Sequence, residues 1–188
     1  MPLNVPNLLT WLRIVLIPLF VGIFYFDKSW VSAPNQNLVA TVLFTAAAVT
    51  DWLDGWLARR LNQTSAFGAF LDPVADKLMV AAALIILVQL ERVEAFIALI
   101  IIGREITISA LREWMARIGE AKSVAVSMLG KVKTGFQMVA IPMLLYYDDI
   151  GAFDPERWGT WLIYVAAVLT LVSMVWYLKV ALPLAWKR

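Results

Sequence analysis

Long apolar segments follow one another along the chain, separated by short polar stretches. Each has the length of about 20 residues that a helix needs to cross the hydrocarbon core of a bilayer. Because backbone groups in lipid have no other hydrogen-bond partner, such segments must be helical. The pattern therefore predicts an all-α polytopic membrane protein with six transmembrane helices in a single domain, residues 1–188. The six segments are Leu8–Phe26, Leu38–Leu57, Val74–Leu90, Val93–Leu111, Val124–Tyr147 and Trp158–Leu182.

The amino-acid composition is that of a protein surrounded by lipid, and it limits which side chains can take part in chemistry. Hydrophobic residues make up 62% of the 188 residues, whereas soluble domains have closer to half. The net charge of +2 is too small to indicate a nucleic-acid partner. The chain has neither Cys nor His, so disulfides, thiolate nucleophiles, Cys/His zinc sites and histidine bases are excluded. Acid–base or metal chemistry must use the remaining polar groups, and the carboxylates are the first candidates.

Charge is distributed unequally between the two sides of the predicted bundle. If the N-terminus is cytoplasmic, the outer loops hold only Lys28, Arg92 and Arg157 of the 16 Lys and Arg residues. Positive charge collects on the cytoplasmic side of membrane proteins. We therefore expect both termini to be cytoplasmic. The same outer loops are rich in acids: Asp27, Glu91, Glu94, Asp148, Asp149, Asp154 and Glu156.

Four aspartates lie at the end of the second segment and the start of the third. Asp51 and Asp54 are three positions apart and share a helix face, and Asp72 and Asp76 are four apart and share a face of the next helix. The Asp72-Pro73 pair predicts an N-cap followed by a first-turn proline, so that a helix begins at Asp72. A hairpin between the two helices returns the acidic faces to one another.

Four neighbouring carboxylates repel one another unless cations compensate their charge. Oxygen ligands without Cys or His suit hard ions such as Mg²⁺ or Mn²⁺, and two ions between two acidic pairs suit phosphoryl displacement. The alternative that these residues are only caps and interface charges is disfavoured by the cost of ionisable groups at membrane depth. A cation transporter is a further alternative, but the carboxylates sit at one membrane face rather than at the midplane, and no broken-helix pair is visible.

The spacing of these residues resembles the signature of the CDP-alcohol phosphotransferases. The pattern Asp-x2-Asp-Gly-x2-Ala-Arg-x8-Gly-x3-Asp-x3-Asp runs from Asp51 to Asp76 without a departure. The resemblance implies six transmembrane helices, a homodimer, a cytosol-facing polar cavity, a CDP-linked donor and release of CMP. Further stretches resemble the bacterial inner-membrane members that join CDP-diacylglycerol to glycerol 3-phosphate, although inositol phosphate or serine remain alternative acceptors. These stretches are Asn4–Thr10 with Arg13, Gly103–Ile106, Leu111–Ala116 and Gly130–Thr134.

The resemblance also implies roles for individual residues. Two divalent cations, Mg²⁺ or Mn²⁺, would be held by the four aspartates, Asp51, Asp54, Asp72 and Asp76. Asp76 would also be the general base on the acceptor hydroxyl. The CDP-diacylglycerol contacts would come from Asn7, Thr10, Asp54, Gly55, Ala58, Arg59 and Gly68. Basic side chains on the later helices are suited to bind the phosphate of the acceptor. Each could alternatively be an anchor that follows the positive-inside rule. These residues are Arg104, Arg112, Lys131 and Lys133.

Overall fold

The computed structural model describes residues 5–61, 66–120 and 128–185. Within these ranges, the side chains of the following residues are not described: 5–7, 52, 54–59, 61, 66, 67, 69, 184 and 185. Apart from one 3-10 turn at Ile23–Tyr25 and one isolated bridge between Ile150 and Phe153, the regular structure in these ranges is α-helical. The predicted all-α class is thereby confirmed. The helices are α1 (Val5–Gly22), α2 (Ala33–Leu61), α3 (Ala66–Gln89), α4 (Ala95–Arg117), α5 (Met128–Tyr146) and α6 (Pro155–Ala185).

Cross-helix contacts show that the first three helices, α1 to α3, alternate in direction. Near the start of α1, Thr10 donates a hydrogen bond to Asp72, which lies near the start of α3. One turn later, Arg13 contacts Asp51 in the second half of α2. The starts of α1 and α3 and the end of α2 therefore meet at one end of the bundle, which we call the site end.

The opposite end of the bundle is fastened by Arg92, which lies between α3 and α4. Its guanidinium donates to the carbonyl oxygens of Leu144 and Leu145 at 2.9 and 2.8 Å and to Asn37 Oδ1 at 2.8 Å. The Tyr147 ring lies 4.2 Å from the guanidinium carbon. Burial lowers the pKa of Arg92 from its ordinary value, and these carbonyls and the ring face replace the water that the guanidinium has lost. One side chain thus joins α2, α5 and the α3–α4 loop.

Between the two ends lies an apolar core to which each of the helices α1 to α6 contributes. The α5–α6 hairpin packs so closely that a Cβ built on Gly159 would lie 2.8 Å from Leu144 Cγ and 3.1 Å from Met143 Cβ. This close approach is possible because glycine has no side chain. Members of the core with almost no exposed surface include Phe20, Phe44, Leu84, Leu87, Ile101 and Ile141.

Two stretches of the described chain are long and apolar enough to cross a membrane by length and composition, Leu8–Tyr25 and Pro155–Pro183. In the other four helices, charged or amide side chains interrupt the apolar sequence. Large apolar side chains nevertheless lie on the outside of the bundle. On α1 they recur at helical spacing, at Leu8, Trp11, Leu12, Val15 and Leu19.

The predicted start of the third helix was wrong. α3 begins at Ala66, so Asp72 and Pro73 lie inside it rather than at its first turn. Asp72 does not need to cap backbone donors, because its Oδ1 accepts a hydrogen bond from the Thr10 hydroxyl of α1. Pro73 removes a single backbone donor, which a helix packed between neighbouring helices can tolerate.

Candidate active site

Two of the four aspartates are held by side chains of α1. Arg13 Nη1 lies 2.6 Å from Asp51 Oδ1, and only 1% of the arginine side chain is exposed. The Thr10 hydroxyl, also buried, donates to Asp72 Oδ1. Thr10 and Arg13 are three positions apart and therefore lie on one face of α1. This face meets the acidic face that α2 and α3 present.

Asp76 lies between the Arg13–Asp51 ion pair and the buried Lys133. Its side chain is half-buried and lines a narrow cavity together with Arg13 and Asp51. It also lines a second cavity of about 50 Å³, to which Glu105 of α4 and Lys133 of α5 contribute. Asp76 is thus the carboxylate that faces both Asp51 and Lys133.

Glu105 is the counter-ion of two cations. Its Oε1 accepts a hydrogen bond from Lys133 Nζ and lies 3.3 Å from Arg104 Nη1. The Lys133 side chain is 1% exposed and that of Arg104 is 6% exposed. Because buried charges must be paired, this carboxylate fixes the position of both basic groups.

The four predicted acceptor-binding cations occupy three different environments. Lys133 lines the cavity beside Asp76, and Arg104 adjoins it through Glu105. Arg112 turns toward α6, where its Nη2 donates to the Tyr177 hydroxyl at 2.9 Å. Lys131 is exposed. The structure therefore brings Lys133 to the cavity of Asp76, places Arg104 next to that cavity, and leaves Arg112 and Lys131 outside it.

Arg104 and Arg112 share the aromatic ring of Tyr177. Their guanidinium carbons lie 5.7 and 5.3 Å from the ring centroid, and Arg104 Nη2 also donates to Ser173 Oγ at 3.2 Å. Each arginine retains a buried Nε without a hydrogen-bond partner among the residues that are described. Unpaired buried donors are costly, and an anion that binds beside them would recover that cost.

Most of the predicted CDP contacts fall outside the described side chains. Asn7 lies in α1, and Asp54, Gly55, Ala58 and Arg59 lie in α2, but their side chains are not described. Gly68 is a buried residue of α3. Thr10, another of the predicted CDP contacts, is buried and donates a hydrogen bond to Asp72. The role of these residues in holding CDP stays a prediction.

Two features of the site were not predicted from the sequence. The first is the contact of α1 with the aspartates, for which the available signal was a charged residue, Arg13, within an apolar segment. The second is a largely apolar groove of about 360 Å³ between α2 and α5 that reaches Asp51. No motif marks this groove, because its lining includes ordinary helix-packing residues such as Ala48, Met138 and Pro142.

The donor chemistry of the site fits a hard divalent cation. Among the described side chains, which do not include Asp54, no three acidic groups are close enough together to hold a metal. Asp51 and Asp72 each engage an α1 donor through Oδ1, and a carboxylate has a second oxygen with which it can ligate a cation. That Asp51, Asp72 and Asp76 hold Mg²⁺ or Mn²⁺ together with Asp54 stays a prediction of the family resemblance.

The chain is similar to known proteins over nearly its whole length. The sequence model of the CDP-alcohol phosphatidyltransferase family matches residues 3–172. The chain is 51% identical over 183 residues to a protein named CDP-diacylglycerol–glycerol-3-phosphate 3-phosphatidyltransferase from Salmonella paratyphi A, with 96% of each chain covered. It is 50% identical, over the same length and coverage, to the protein of that name from Escherichia coli K12. The resemblance seen in the aspartate pattern is thereby confirmed, and this chain belongs to the CDP-alcohol phosphatidyltransferase family.

Proposed function

We propose that this protein transfers the phosphatidyl group of CDP-diacylglycerol to the C1 hydroxyl of glycerol 3-phosphate and releases CMP. The relatives that share about half of its residues over nearly its whole length carry this activity in their names. The structural observation that carries the proposal is the position of Asp76, which lines one cavity with Asp51 and another with Lys133. A base that joins a donor site to an acceptor site requires this intermediate position.

We further infer that the chain is a single six-helix domain of the bacterial cytoplasmic membrane. The outward apolar side chains support a lipid surround, because soluble monomers rarely expose large apolar patches. The unequal distribution of Lys and Arg supports a site end that faces the cytoplasm, with both termini on that side. Family membership supports a homodimer.

In the proposed reaction, Asp76 accepts the proton of the C1 hydroxyl of glycerol 3-phosphate. The resulting oxygen attacks the β-phosphorus, which bears the lipid, and the bond from this phosphorus to the oxygen shared with the α-phosphorus breaks. That oxygen leaves with CMP. No covalent enzyme intermediate is required, since positioning and electrostatics dominate phosphoryl transfer.

The basic residues position the acceptor. Lys133, held by Glu105, faces the same cavity as Asp76, and Arg104 adjoins it. A phosphate bound by Lys133 and Arg104 would present the far end of glycerol 3-phosphate to Asp76. Arg59, one turn beyond Asp54 and Gly55 along α2, is the residue that we propose neutralises the departing CMP. A bound divalent cation would neutralise charge on the donor phosphates.

The test is CMP release by purified protein in detergent–lipid micelles with CDP-diacylglycerol and Mg²⁺ or Mn²⁺. The acceptor is varied among glycerol 3-phosphate, inositol phosphate and serine. Release only with glycerol 3-phosphate, stopped by a chelator, supports the reaction and its metal requirement together. Release with another acceptor overturns the substrate but keeps the mechanism. Folded protein that releases no CMP with any acceptor overturns the enzymatic function and returns the cation transporter as the explanation of the aspartates.

A further inference from the structure

One turn of α1 contacts the acidic site at two points. The Thr10 hydroxyl donates to Asp72 on α3, and Arg13 Nη1 donates to Asp51 on α2 at 2.6 Å. Both α1 side chains are buried, each with 1% of its surface exposed. A buried arginine in an apolar segment is costly, so its retention at this position calls for an explanation beyond packing.

Each contact engages Oδ1 of its aspartate. A hydrogen bond to one oxygen of a carboxylate fixes the rotation of the group and sets the direction of the other oxygen. A residue that contacts a metal ligand, rather than the metal itself, orients that ligand and changes the affinity of the site for the metal. The guanidinium of Arg13 also offsets part of the repulsion among the aspartates before a cation arrives.

We propose that Thr10 and Arg13 are positioning residues that orient Asp72 and Asp51 for divalent-cation binding, so that α1 sets the metal affinity of a site whose ligands lie on α2 and α3. This inference rests on the proposed function, because it assumes that the aspartates bind a cation. It assigns Thr10 a different role from the CDP contact that the family resemblance implied.

Binding of Mn²⁺ to the full-length protein in detergent tests the proposal, with the free ion followed by its electron paramagnetic resonance signal and with no substrate present. Thr10→Val keeps the size of the side chain and removes the hydroxyl, whereas Thr10→Ser keeps the hydroxyl. The matched control is Thr170→Val, since Thr170 is equally buried but its hydroxyl donates to the carbonyl of Ala166 on its own helix. Arg13→Lys tests the second contact, because lysine keeps the charge but loses the planar fork.

We expect Thr10→Val to weaken Mn²⁺ binding by about 10- to 100-fold, the usual effect of removing a partner of a metal ligand. Thr10→Ser should restore most of the affinity, Arg13→Lys should weaken binding, and Thr170→Val should leave it unchanged. If wild-type protein binds Mn²⁺ and Thr10→Val binds it equally well, the positioning role is overturned and the proposed function stands. If folded wild-type protein binds no Mn²⁺, the metal requirement of the proposed function fails together with this inference. Equal losses in Thr10→Val and Thr170→Val would also overturn it, since a general packing defect would then explain both.

Discussion

At the scale of single residues, the site depends on how a few buried charges share their partners. Asp76 shares one cavity with Arg13 and Asp51 and another with Glu105 and Lys133. Glu105 is the counter-ion of both Lys133 and Arg104. In such a network the effect of a substitution depends on what the partners lose. Asp76 and Glu105 line one cavity, but removing the charge of one should therefore affect the protein differently from removing the charge of the other.

Asp76→Asn removes the proposed proton acceptor and preserves the shape of the side chain. We expect CMP release to fall by at least about 10²- to 10⁴-fold, the usual contribution of a general base, while CDP-diacylglycerol binding remains largely intact. Turnover and donor binding, measured on the same preparation, check this. Asp148→Asn, which changes an exposed acid outside the site, should leave both unchanged. Joint loss of donor binding and folding in Asp76→Asn would mean that Asp76 has a structural role.

Glu105→Gln leaves two buried cations without their shared counter-ion. Removing one partner of a buried ion pair costs about 3–5 kcal/mol, so we expect a lower melting temperature and a higher KM for glycerol 3-phosphate. The matched control on the same helix is Glu113→Gln, whose pair with Arg117 is 65% and 76% exposed. Its effect should stay within about 0.5 kcal/mol. Equal shifts in the two variants would show that Glu105 is not the counter-ion of the site.

At the scale of helices, close packing decides which pairs of helices can bring their polar side chains together. The α5–α6 hairpin holds one wall of the site, because Lys133 lies on α5 and Tyr177 and Ser173 lie on α6. Gly159 permits this approach at the opposite end of the hairpin, against Leu144 and Met143. A change at Gly159 should therefore act on the spacing of two helices rather than on any polar contact.

Gly159→Ala places a methyl group 2.8 Å from Leu144 Cγ, and Leu144 is fully buried and cannot move freely. Overpacking of this kind typically costs about 1–3 kcal/mol, which thermal unfolding in detergent would measure. Gly135→Ala is the control on α5, since nothing lies within 4 Å of its added Cβ. It should be neutral or stabilising by up to about 1 kcal/mol. Destabilisation by both variants alike would show that helix contact is not the cause.

The helices were more predictable from the sequence than the contacts between them. Apolar segments located all six helices because lipid and packing both demand an apolar face. The Asp72-Pro73 pair misled the prediction of the α3 start, since a capping pattern is local and Asp72 bonds to a residue 62 positions away. Arg13 and Asp51 are likewise separated by 38 positions. No periodicity in one segment indicates which distant helix it will contact, so the contacts of α1 with Asp51 and Asp72 were found only in the structure.

At the scale of the whole molecule, the alternation of helix direction separates two chemically different ends. The site end carries Thr10, Arg13 and the aspartates, while the far end carries Arg92 and the acid-rich loops. In a bilayer, an excess of Lys and Arg around the site end would place that end in the cytoplasm, as we propose. Water-soluble glycerol 3-phosphate and CMP would then exchange with the cytoplasm, and the lipid donor would reach the aspartates from within the membrane.

This orientation can be tested directly because the chain contains no cysteine. Asp149→Cys places a thiol in the loop between α5 and α6, and Glu113→Cys places one near the end of α4; both positions are exposed. A membrane-impermeant maleimide should label Asp149→Cys in intact spheroplasts and Glu113→Cys only after the membrane is permeabilised. The reverse pattern would invert the orientation and separate the site from its proposed cytoplasmic substrate. Labelling of both variants in intact spheroplasts would mean that no membrane lies between the two ends, and the outward apolar faces of the helices would then have to be covered by protein instead of lipid.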